Sequence, residues 1–264
     1  MENLERWTTH SPMSDPAGHA GLIVGLPSDI GALNRIIQSL LVHTDWLTAY
    51  GLDNADFQAS SRDTLPVADR LGAILANDPR DLQTPRPPAG RAIGTCRDFA
   101  LMLCSFLRGK GVPARVRCGF ASYFRTSWED HWICEYWDRE THRWLLSDAQ
   151  IDGLIAAKCR IEFDPADVPR HAFMTAGDAW LACRDGRLDP DHFGHGDITG
   201  AWFIKINVIR DHYVLSCHET SAWDGWRAAS SANRVVHEHE LALLDNLAAR
   251  PNQQFVEVAP DWSA

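Results

Sequence analysis

One stretch constrains this chain more than any other. It is Gly94-Thr-Cys-Arg-Asp-Phe-Ala-Leu-Met-Leu-Cys-Ser-Phe-Leu-Arg-Gly-Lys110. Phe99, Ala100, Leu103, Cys104 and Leu107 recur at helical spacing and give one apolar face. Thr95 is a natural N-cap, and Asp98 three residues later completes a Thr-x-x-Asp capping box. Gly111 and Pro113 stop the helix. Cys96 therefore sits in a helix's first turn, beside backbone N–H groups and the positive end of the helix dipole. Such a place favours thiolate over thiol and suits an oxyanion. Gly94 leaves room there for a substrate backbone.

A cysteine taken alone is more often a small buried hydrophobe than a nucleophile. The residues that follow change the balance. Val112, Ala114, Val116, Cys118 and Phe120 alternate with Arg115 and Arg117, which predicts a strand with one buried face. A second strand is predicted over His131–Trp137 and a third over Arg143–Asp148, joined by the polar turn Asp138-Arg-Glu-Thr-His142. A cysteine-bearing helix followed by an antiparallel sheet is an α+β core.

Cys96, His131 and Asp148 follow one another at separations of 35 and 17 residues. Adjacent antiparallel strands can set His131 beside Asp148, with the helix N-terminus over them. The roles follow from chemistry. His131 takes the proton of Cys96, Asp148 fixes the imidazole tautomer, and the thiolate attacks a carbonyl whose oxyanion the Cys96 N–H helps to hold.

Three motifs in that order resemble the transglutaminase-like superfamily of papain-related thiol enzymes, in its small bacterial form. They are Gly94-Thr-Cys96-Arg-Asp-Phe-Ala, Asp130-His131-Trp-Ile-Cys-Glu-Tyr-Trp137 and Arg143-Trp-Leu-Leu-Ser-Asp148. The resemblance implies a papain/transglutaminase-like α+β fold, a catalytic Cys96–His131–Asp148 triad and a thioester acyl-enzyme. It covers about residues 91–152. Three departures narrow it. There is no recognisable calcium loop, no zinc-binding cysteine set of the peptide N-glycanase kind, and no Arg-Gly-Gly-x-Cys signature of arylamine acetyltransferases. The implied protein is a transglutaminase-like cysteine hydrolase or acyltransferase acting on a peptide, a protein or a small acyl or amide substrate. Amide synthesis in a biosynthetic pathway and a non-catalytic peptide-binding module on the same fold stay open as alternatives.

Other residues complete the expectations. Trp128 and Trp132 flank His131 and are candidates to wall an acyl groove, Arg97 faces solvent or substrate, and Gln83 is a candidate second oxyanion donor. Asp98 reads as a cap rather than a catalyst. No metal or cofactor is expected. The seven cysteines form no C-x-x-C pair, and His192, His195 and Asp197, like His237-Glu-His239, read as a polar loop and a helix face.

The organisation expected is a single domain over residues 1–264, with its core at about 91–152. A helical extension over 28–77 precedes it, and a mixed, mostly helical one over 160–250 follows. Residues 1–27 read as irregular. Ser28 caps a helix to about Tyr50, and a second helix runs from Val67 to Ala76. Residues 164–170 are a loop, Ala176–Arg184 a helix, and Val235–Ala249 another; Phe203–Cys217, ambiguous by composition, favours helix. A net charge of −10 without basic clusters argues against nucleic acid and anionic membrane. With no signal-peptide pattern and no apolar run of spanning length, a cytoplasmic location is expected.

Overall fold

The computed structural model describes residues 4–53, 65–124, 127–221, 224–227 and 234–258. The fold is α+β, and its contacts gather into two compact units. One comprises Met1–Arg115 with Ile133–Val168, the other Val116–Trp132 with Pro169–Ala264.

In the first unit, short helical turns at Glu5–Thr8 and Ala17–His19 and helix α1 (Ala20–Val24) occupy a segment that reads as irregular from its glycines and prolines. Residues 1–3 lie outside the described residues. Helix α2 runs only from Ile30 to Leu40. Its cap is Asp29 rather than Ser28: the Asp29 carboxylate accepts the Ala32 N–H at 2.7 Å. The continuous helix expected to Tyr50 does not form. Leu41–His43 is strand β1, followed by a 3-10 turn over Thr44–Tyr50. Strand β2 (Ala92–Gly94) lies parallel to β1, pairing Leu41 with Ala92, Val42 with Ile93 and His43 with Gly94. Val42, Leu47 and Ile93 form a small apolar cluster around this pair. The pairing overrides helical periodicity because β2 offers backbone partners that a longer α2 would not use.

Helix α3 (Val67–Asn77) matches expectation, and β2 leads straight into α4 (Cys96–Gly109). Helix α4 is buried from Arg97 to Arg108, more than its one-faced pattern implies, because α2, α3 and the N-terminal segment all lie against it. Strand β4 (Trp128–Asp138) begins three residues earlier than expected. Its second half pairs antiparallel with β5 (Arg143–Ser147), from Cys134 opposite Ser147 to Asp138 opposite Arg143. The hairpin is closed by Asp138, which accepts from the Glu140 and Thr141 amides. Helix α5 (Gly153–Cys159), capped by Asp152, has no clear mark in the sequence.

In the second unit, strand β3 (Ala114–Ala121, of which Val116 onward lies here) pairs antiparallel with β6 (Phe173–Thr175). The start of β4 pairs parallel with β7 (Phe193–His195), and β7 antiparallel with β8 (Ile198–Thr199). A Cβ on Gly119 would stand 2.2 Å from the Met174 carbonyl oxygen, so only glycine allows the β3–β6 approach. Helices α6 (Ala176–Arg184), α7 (Ala201–Val214) and α8 (Glu238–Ala249) share one apolar core with Phe120, Phe193 and Trp226. Helix α7 is buried on all sides, its Lys205, Asn207, Arg210, Asp211 and His212 included, which explains its ambiguous pattern: a helix with no solvent-facing side has no 3.6-residue signature.

Strand β3 departs from the expectation of one buried face. It is buried throughout, Arg115 and Arg117 included. In the first unit Arg115 pairs with Glu135 at 2.7 Å and lies over the rings of Trp144 and Trp7. In the second, Arg117 makes a fork to Asp211 on α7, at 3.0 and 2.8 Å. Alternation of arginine with apolar residues marks a solvated face only when no buried acid waits for the guanidinium.

Candidate active site

Cys96 is the first residue of α4 and is partly exposed. Contacts within the first unit hold its position. The Asp98 carboxylate accepts the Thr95 N–H at 2.8 Å and the Thr95 hydroxyl at 3.2 Å, closing the capping box. Arg70 of α3 pairs with the same carboxylate at 3.1 Å and donates to the Ile93 carbonyl at 2.7 Å. One guanidinium thus ties the last turn of β2 to the first turn of α4, across Gly94 and Thr95. Asp98 is the cap that its spacing implies. Nothing in the sequence marks Arg70, which sits 26 residues before the nucleophile.

Two expectations about this turn are corrected. Arg97 does not face solvent or substrate: it is 2% exposed, donates to the Leu65 carbonyl at 3.0 Å and pairs with Asp98 at 3.3 Å. The space beside Gly94 is taken by Asp98, whose carboxylate and Cβ would lie 3.1 and 3.2 Å from an added Cβ. The glycine makes room for the cap.

Asp148 follows β5 directly and is 2% exposed. Its carboxylate accepts the Gln150 N–H at 2.9 Å, and its own N–H donates to the Pro165 carbonyl at 2.8 Å. Its neighbour Ser147 is anchored by Asn34 of α2, which donates to its hydroxyl at 3.0 Å.

His131 lies in the second unit, on β4, buried against the neighbouring rings of Tyr123 and Phe124, whose centroids stand 6.0 and 4.9 Å from the imidazole. Trp128 stacks on Phe193 at 5.8 Å and packs on the second unit's core, and Trp132 is 1% exposed. Burial makes Trp132 a packing residue rather than a groove wall. Gln83 lies on an exposed turn whose Asp81 carboxylate accepts the Gln83 N–H.

Five of the remaining cysteines are buried or have a thiol raised by burial. Cys104, Cys118 and Cys134 are fully buried. Burial, then contact with Cys104, pushes the Cys134 thiol well above the ordinary range. Burial likewise pushes Cys183 up to about 11 and raises Cys159.

His195 does not stand with His192 and Asp197 as a ligand set; its Nδ1 pairs with Glu129 at 2.7 Å. His237 caps α8 with Glu240, and Glu240 is itself bound to Lys205 at 3.0 Å. Among the described residues, no group of three or more histidines, cysteines or acids is arranged to hold a metal. None of the described helices is long and apolar enough to cross a membrane.

Residues 77–149, which include all three triad candidates, match the family model described as the transglutaminase-like superfamily. That segment is therefore of transglutaminase-like type. Among solved structures, the chain is similar to a Cytophaga hutchinsonii protein named "Putative Cysteine Protease", at 13% identity and a TM-score of 0.40. The similarity covers 66% of this chain and 46% of that one, so this chain spans less than half of the neighbour's length. No curated protein matches it.

Proposed function

We propose that the protein is a thiol-dependent acyl-transfer enzyme in which Cys96 carries the acyl group as a thioester. The observation that carries the reading is the fixed first turn of α4. A partly exposed cysteine sits at a helix N-terminus whose backbone is tied by a buried Asp98–Arg70–Arg97 cluster. A rigid turn of that kind pre-orients backbone dipoles toward charge at the sulfur and at the acyl oxygen.

His131 serves as the base and Asp148 orients it. In support, β4 carries His131, Asp148 directly follows the β5 strand that pairs with β4, and Cys96, His131 and Asp148 all lie within the matched residues 77–149. In the reaction, His131 accepts the Cys96 proton, the thiolate adds to the carbonyl carbon, and collapse of the oxyanion expels the amine with the proton returned from imidazolium. Water or a second amine then takes the acyl group, giving hydrolysis or transamidation.

The test is interception of the acyl-enzyme. Incubation with p-nitrophenyl acetate should add one acetyl group to Cys96, removable by hydroxylamine and absent from Cys96→Ser. Acetylation confined to lysines, with Cys96 untouched, overturns the reading.

A further inference from the structure

The parallel pair of β1 and β2 brings a second imidazole to the turn that carries Cys96. His43 is the last residue of β1 and stands in register with Gly94, two residues before the nucleophile. Neighbouring strands lie ~4.8 Å apart, so the His43 backbone borders the entrance to α4. The side chain follows that direction. Its ring stacks near Phe99, with centroids 6.5 Å apart and planes at 29°. Phe99 is three residues after Cys96 on α4, and residues three apart share a helix face. His43 therefore stands beside the first turns of α4, against a residue one turn from Cys96, and all of these residues belong to the first unit.

The ring's tautomer is also set. The Asp45 N–H donates to His43 Nδ1 at 3.1 Å, which makes Nδ1 an acceptor and leaves the neutral ring's proton on Nε2. A neutral imidazole held this way is a hydrogen-bond donor rather than a base. His43 is 9% exposed, so such a donor acts in a partly desolvated setting, where a dipole aimed at a developing charge has most effect.

We propose that His43 is the second oxyanion donor of the site, a role for which Gln83, on its exposed turn, is poorly placed. The inference rests on Cys96 being the nucleophile. When the thiolate adds to an acyl carbon, the S–C bond forms as the C=O π pair moves onto oxygen. The Cys96 N–H and the His43 Nε2–H together hold that oxygen. Collapse re-forms C=O and expels the leaving group with its electron pair, and the Nε2 proton stays on His43 throughout.

Two probes of the same sulfur separate this role from simple packing. Acylation by p-nitrophenyl acetate passes through an oxyanion, whereas alkylation by iodoacetamide displaces iodide and forms none. His43→Phe keeps an aromatic ring beside Phe99 without a donor, and His43→Gln keeps a donor near the Nε2 position. The expected result is acylation of Cys96 slowed on the order of 100-fold in His43→Phe, largely restored in His43→Gln, with alkylation of Cys96 unchanged in both. Equal losses of acylation and alkylation in both variants make His43 a packing residue and overturn the proposal, as does unchanged acylation in His43→Phe. Failure of the wild type to acylate or alkylate Cys96 selectively removes the nucleophile itself, and the donor assignment falls with it. That outcome is distinct, because it appears before any His43 variant is made.

Discussion

Asp98 offers the sharpest test of how the nucleophile's turn is held. Its buried carboxylate meets two guanidiniums, at 3.1 Å for Arg70 and 3.3 Å for Arg97, and accepts the Thr95 N–H at 2.8 Å. Asp98→Ala removes a cap, at a cost of about 1 kcal/mol, and strands two buried cations. Removing one partner of a buried ion pair typically costs about 3–5 kcal/mol, because the remaining charge has lost both water and its partner. The two effects overlap at one carboxylate, so a total of about 4 kcal/mol is expected. That is a large share of the roughly 5–15 kcal/mol that stabilises a typical native domain. Asp29→Ala is the internal control. It removes a cap of the same chemistry from α2, but its ion pair with Arg35, at 3.9 Å, is exposed, so about 1 kcal/mol is expected. Urea unfolding followed by circular dichroism and tryptophan fluorescence measures both. Equal costs for the two variants would refute the argument, since the buried cations would then contribute nothing beyond the cap. Asp98→Asn should fall between them, because it can keep the Thr95 contact while losing the charge.

Three other expectations follow from the same structure. Asp148→Asn should lower the rate of Cys96 acylation by about 10³–10⁴-fold while leaving the unfolding midpoint nearly unchanged, because asparagine can still accept the Gln150 N–H but holds the wrong imidazole tautomer. Cys104 and Cys134 should resist maleimide in the native protein at about pH 8 and react only after urea is added, since burial keeps the Cys134 thiol protonated far above its usual range. For His212, burial lowers the folded-state pKa, so the unfolded chain binds the proton first as pH falls below about 6.5 and stability declines toward pH 5. His212 Nε2 lies 3.0 Å from both the amide nitrogen and the carbonyl oxygen of Val256, and protonation ends its acceptance from the amide. Hydrogen-exchange protection at Val256 should therefore fall between pH 7 and pH 5 in the wild type and be insensitive to pH in His212→Gln.

What the sequence disclosed depended on where each element hides its polar groups. Helix α4, its cap, and strands β4 and β5 were legible because capping chemistry and periodicity are local. Periodicity carries helix α2 on to Tyr50, since a three-residue parallel pairing with β2 leaves no mark at Leu41–His43 beyond residues that also suit a helix. Arg97 and Arg117 read as exposed because their partners, Asp98 with the Leu65 carbonyl and Asp211, are settled by tertiary packing. The short strands β6, β7 and β8 span two or three residues each, too few for any period to show. Within the site, the triad candidates were readable from residue type and order, whereas Arg70 and His43 enter only through spatial neighbours on α3 and β1.

The central claim is that Cys96 is an activated thiolate paired with His131, and it can be tested without knowing the substrate. The native protein is treated with sub-stoichiometric iodoacetamide at mildly acidic pH, and the label is located by peptide mapping in the wild type and in His131→Ala. Six competing thiols provide the internal reference, three of them fully buried and Cys159 and Cys183 with pKa values raised by burial. The account predicts label concentrated on Cys96 in the wild type and a marked slowing of that labelling in His131→Ala, because the ion pair is lost. Label spread over several cysteines, or labelling of Cys96 indifferent to His131, would contradict it and leave Cys96 an ordinary thiol at the start of a well-capped helix.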